Sequence, residues 1–200
     1  MIQIRGAFVF IASLIAPNLA SAHSPIEGID SFYNGLLHPV LVPAHVLLIL
    51  GLGLLFGQKG TRETRFALAG YFAATAVGLV LAWFSVGGNV EAYLLGAAAV
   101  IGLLIAFDRP VGQVLGIAMG TFVGLFLGLD SKQDELFGKE RLLSLFGSGI
   151  GIYFLLFYPM ALAETFNKKE WHRIGVRVLG SWISASSLLV LALTFSPVAS

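Results

Sequence analysis

Apolar residues in this chain fall into long uncharged blocks rather than the alternating or three-and-four spacing of half-buried elements. Stretches free of Asp, Glu, Lys and Arg run over residues 31–58, 66–90, 92–107, 110–129, 142–163 and 178–200. A helix rises about 1.5 Å per residue and a bilayer core is about 30 Å thick, so a span needs about 20 apolar residues. The block 92–107 reaches that length only when extended back to Gly88, which puts Glu91 at headgroup level. The pattern predicts an all-α fold, a polytopic membrane bundle of six transmembrane helices joined by short loops.

Residues 1–22 have a different pattern: Arg5, a short apolar run over 6–16, Pro17, then the box Ala20-Ser21-Ala22. These are the three parts of a secretory signal peptide, and a run of about 11 apolar residues is too short to span. Cleavage after Ala22 is expected, dividing the chain into a signal peptide (1–22) and a six-helix transmembrane domain (23–200). An uncleaved first helix would make seven spans instead. Basic residues test the threading, because short cytoplasmic loops collect Lys and Arg. With His23 outside, the inner loops hold Lys59, Arg62, Arg65, Arg109, Lys168, Lys169, Arg173 and Arg177, and the outer loops only Lys132, Lys139 and Arg141. The expectation is a bacterial inner-membrane protein, multi-pass, with both mature termini periplasmic.

Composition agrees and narrows the function. Only 12% of residues are charged against 57% hydrophobic, with a mean hydropathy of +0.88, too little charge to cover a soluble globule. A net charge of +1 excludes nucleic acid as a partner, and the absence of Cys excludes disulfides and thiolate chemistry. Close helix packing in lipid relies on small residues four apart. The fourth span carries Gly116, Gly120, Gly124 and Gly128, the second Gly70, Ala74, Gly78 and Ala82, and the fifth Gly147 and Gly151, and these three faces are expected to meet. Pro43 and Pro159 should kink or interrupt the first and fifth spans.

The sharpest chemical signal opens the first span: His38-Pro39-Val-Leu-Val-Pro43-Ala-His45. Imidazoles inside a membrane helix are costly unless used. On a regular helix the two rings share a face but stand about 10.5 Å apart, too far for one ion. Pro43 removes a backbone donor opposite the Pro39 carbonyl, so unwinding there would bring the rings together. Imidazole suits nickel, copper or zinc. Metal or proton handling is one reading, and a pair of interfacial histidines bonded to carbonyls or water is the other.

This segment resembles the HupE/UreJ family, bacterial membrane proteins regarded as secondary permeases for nickel or cobalt. The family's first-span motif is HPxxGxDH. His38, Pro39 and His45 match it, whereas Val42 stands for the Gly and Ala44 for the Asp. Its fourth-span motif, HGxxHGxE, falls on residues 123–130, where Gly124 and Gly128 match, Asp130 keeps the acid, and Val123 and Leu127 replace both histidines. The resemblance implies a divergent member with His38, His45 and Asp130 as metal ligands, His38 and His45 lining the path, and nickel or cobalt as cargo rather than cofactor.

Weaker candidates lie nearby. His23 as a mature N-terminus offers an amine and an imidazole, and Asp30, with Glu27, would extend an outer collecting site; a solvated terminus is equally compatible. His172, between Glu170 and Arg173, reads as a solvated inner-loop residue. Two functions from different classes follow: a nickel or cobalt permease, and a non-transporting scaffold or assembly partner that binds another membrane protein or a second copy of itself. No nucleophile with a base is visible, so an enzyme is not expected.

Overall fold

The computed structural model describes residues 26, 28–86, 88–109, 111–166 and 169–195. The signal-peptide reading and His23 therefore lie outside the described residues. Among the described residues the chain is all-helical, with seven helices and no strand: α1 (Ser31–Leu41), α2 (Pro43–Lys59), α3 (Thr61–Trp83), α4 (Glu91–Ala106), α5 (Gln113–Asp130), α6 (Gly138–Phe166) and α7 (Glu170–Thr194). In lipid every backbone N–H and C=O must be matched within the chain, which is why uncharged blocks become helices. Four helices, α3, α5, α6 and α7, are long and apolar enough to cross a membrane, and α1 with α2 makes a fifth if that bent pair is one span. With 16 residues, α4 is apolar but shorter. Large side chains such as Val114, Phe154, Tyr158 and Trp182 are exposed on the bundle's outside, as a lipid-facing surface requires.

Helix boundaries follow local chemistry. The Asp30 carboxylate accepts a hydrogen bond from the Phe32 N–H (2.9 Å) and caps α1, so this acid serves a helix end. Gly60, at φ 87°, ends α2 and opens α3 in a conformation that a Cβ would strain. The last helix corrects the sequence reading. It begins at Glu170, so His172, Arg173 and Arg177 are helical rather than in a loop, and the uncharged block marks only its apolar part. Arg173 pairs with Asp108 at 2.7 Å, and the Arg177 Nε donates to the Ala106 carbonyl at the end of α4, which explains why a charged first turn continues the helix.

Packing is by close pairs. A Cβ at Gly120, Gly124 or Gly128 of α5 would collide with the Ala67, Tyr71 or Thr75 carbonyl oxygen of α3, whereas one at Gly116 would meet Ala67 Cβ at an ordinary 3.8 Å. From α3, Gly78 faces the α5 backbone in return. Gly147 and Gly151 of α6 do not join these faces: they lie against the Phe32 and Leu36 carbonyls of α1. Farther along α6, Gly53 and Gly57 of α2 abut Pro159, Met160 and Ala163. Thus α6 backs both halves of the first span, and α4 pairs with α7 through Gly102 and Gly180.

Candidate functional site

The site is built by a break in the first span. Pro43 has no N–H, so α1 stops at Leu41 and α2 restarts at Pro43, a position where proline's fixed φ favours a helix start. Val42 between them is extended (φ −89°, ψ 111°), and the two helices meet at 70°. Within α1, Pro39 likewise leaves the Gly35 carbonyl without its helical donor, and the Ser148 hydroxyl of α6 donates to that oxygen instead (3.1 Å). The break is therefore matched from the neighbouring helix, as buried carbonyls demand.

One consequence is that the His38 and His45 rings, which a regular helix would hold far apart, stand edge to face with centroids 5.2 Å apart. Both residues are buried. The last residue of α5 reaches them from the other side. His45 Nε2 lies 2.9 Å from Asp130 Oδ2, and His38 Nε2 lies 3.3 Å from the Asp130 backbone carbonyl oxygen. A carboxylate and a carbonyl accept, so each Nε2 is assigned as the donor. His45 Nδ1, the other ring nitrogen, is buried and has no hydrogen-bond partner among the described residues. A buried polar nitrogen left unmatched costs free energy, which marks the atom as one open to a ligand.

Asp130 also has an outward side. Its side chain is 11% exposed and lines a cleft of about 380 Å³ with Asn89, Glu91, Lys132 and Asp134. Lys132 and Asp134 form an ion pair of 2.6 Å at the rim. Glu91 thus lines the same cleft as Asp130. Val123 and Leu127, where the family motif has histidines, belong to the buried apolar core. Buried polar groups that the sequence reading missed lie near the start of α1: Asn34, whose Nδ2 donates to the Ile29 carbonyl (2.9 Å), and Gln133, which accepts from the Ser144 hydroxyl (2.9 Å). No periodicity marks them, because their partners are single groups in the adjoining turns and helix start rather than positions on a repeating face.

The arrangement brings two imidazoles and one carboxylate into one neighbourhood, with the carboxylate turned onto His45. Among the described residues, no three His, Asp or Glu side chains are grouped so that they would hold a metal ion. A cation bound at His45 Nδ1 would have Asp130 behind the ring rather than on the ion, the common way a carboxylate orients a metal-binding histidine.

A family model described as HupE / UreJ protein matches residues 11–190. No curated protein matches the chain, and no solved structure matches it. With most of its length matched by that model, including the broken first span and Asp130, the chain belongs to the HupE/UreJ family.

Proposed function

We propose that this chain is a bacterial inner-membrane permease for a divalent transition-metal cation, nickel or cobalt by family, which enters through the Asp130 cleft and meets His45 and His38. The observation that carries the reading is the His45 ring: buried, oriented by Asp130 through Nε2, and left with an unmatched Nδ1. Six crossings after removal of residues 1–22, with both mature termini periplasmic, complete the proposal. It is supported by helix pairs whose directions agree with such threading, since α1, α2 and α6 descend together while α3 and α5 run alongside each other. Metal uptake in a strain lacking its other nickel and cobalt permeases tests it. Expression of the chain should restore accumulation of one of these ions, and His45→Ala should abolish the gain.

A second reading, the non-transporting scaffold, is favoured by one observation: the ligand set is short, with Val123 and Leu127 apolar where the family motif has imidazoles. Unrestored uptake from a well-expressed, membrane-inserted chain would favour the scaffold.

A further inference from the structure

At the opposite end of α2 from His45, about 21 Å along its axis, a second cleft has the reverse character. It encloses about 310 Å³ and is lined by Lys59, Arg62, Glu63, Arg65, Phe66 and Gln113. Three cations and one carboxylate leave an excess of two positive charges. None of the three cations makes an ion pair among the described residues. Arg173, by contrast, is paired with Asp108, and Lys132 with Asp134. Like charges held together without a counterion repel one another, and an anion that enters relieves the repulsion.

Backbone groups add to the field. Helices α3 and α5 start beside this cleft, at Thr61 and Gln113, and neither N-terminus is capped by a side chain. The positive ends of two helix dipoles therefore lie at the cleft. The surroundings say what kind of anion fits. Arg65 lies over the Phe66 ring at 4.6 Å, Phe66 is 48% exposed, and Val114 and Leu115 stand exposed just beyond Gln113. A charged cleft that opens directly onto an apolar, lipid-facing surface matches a molecule with an anionic head and hydrocarbon chains. A free anion would use the cations and leave the apolar shelf empty.

We infer that the cleft formed by Lys59, Arg62, Arg65 and Gln113 binds the phosphodiester headgroup of an anionic phospholipid, with its acyl chains against Phe66 and Val114. The cations hold the headgroup oxygens, Gln113 donates from its amide, and Glu63 selects against a second negative charge. This site is independent of metal transport and stands whether or not the chain moves an ion.

The test uses the full chain purified in mild detergent, with phosphatidylglycerol, phosphatidylcholine or inorganic phosphate added, read by thermal unfolding and by lipid retained in native mass spectrometry. Phosphatidylglycerol should raise the unfolding temperature and remain bound, while phosphatidylcholine and millimolar phosphate should do neither. Each surface cation contributes roughly a fivefold factor to anionic-lipid binding, so Arg62→Gln with Arg65→Gln should weaken it about 25-fold. Lys139→Gln, a cation outside the cleft, should leave it unchanged. Gln113→Glu keeps the side chain's size and adds a carboxylate; it should also weaken binding, and it covers the case in which the double variant fails to fold. Equal effects of the two lipids, stabilisation by phosphate alone, or full retention in the cleft variants would each overturn the inference.

Discussion

Two helix pairs in this bundle approach to backbone contact and use that closeness differently. Between α3 and α5, Gly120, Gly124 and Gly128 seat one helix on the carbonyls of the other, and neither helix contains a proline. Between α1 and α6, Gly147 and Gly151 do the same, but α1 carries Pro39 and ends one residue short of Pro43. There Ser148 supplies a donor that α1 lacks. The regular pair makes a wall, and the broken pair holds an irregular backbone inside the bundle, where it places His38 and His45 together. Small residues thus serve rigidity in one place and tolerance of a break in the other.

The comparison breaks first at the wall. Gly124→Leu should abolish most of the folded yield, because the Tyr71 backbone cannot move aside as a side chain would; a cost of about 3 kcal/mol or more is expected. Phe126→Leu, on a half-buried face stacked on Phe122, should leave yield nearly unchanged. Size-exclusion chromatography in detergent distinguishes the two, and equal yields would mean that the glycine face is incidental.

At the break, the effects should be functional before they are structural. Asp130→Asn keeps the shape but weakens the acceptor that orients His45, so metal affinity should fall about 10- to 100-fold, the usual cost of losing such a partner. Acidification should weaken binding too, since proton and metal compete for the same imidazole nitrogen. Isothermal titration at two pH values checks both. Ser148→Ala leaves the Gly35 carbonyl without its donor and should cost about 1 to 3 kcal/mol, seen as a lower unfolding temperature. The smallest effect, with the opposite sign, is expected at Gly96 of α4, where a Cβ would meet nothing within 4 Å: Gly96→Ala should stabilise by about 0.5 to 1 kcal/mol.

Much of this was legible in the sequence because its causes are local. Uncharged blocks mark the helices, and the missing N–H of Pro43 foretells both the break and the approach of the two imidazoles. Asp130 was reached through its place in the HGxxHGxE motif rather than through spacing. What was not legible depends on partners far along the chain. Nothing in Gly147 and Gly151 says that they face α1 rather than α3, and nothing in Ser148 says that it serves a carbonyl 113 residues away. The start of α7 at Glu170 was missed because hydropathy reports the membrane-embedded part of a helix. Arg173 and Arg177 extend it through Asp108 and the α4 carbonyl end.

The central claim is that the break in the first span makes a cation site of His45, backed by Asp130 and adjoined by His38. Equilibrium dialysis of the purified full chain against nickel and cobalt tests it most directly, with wild type beside His38→Ala, His45→Ala and the double variant, all matched for folded yield. The account predicts that wild type binds at least one of the ions at neutral pH, that His45→Ala loses this binding, and that the double variant is silent. A wild-type chain that binds neither ion, or binding that survives in the double variant, would contradict it.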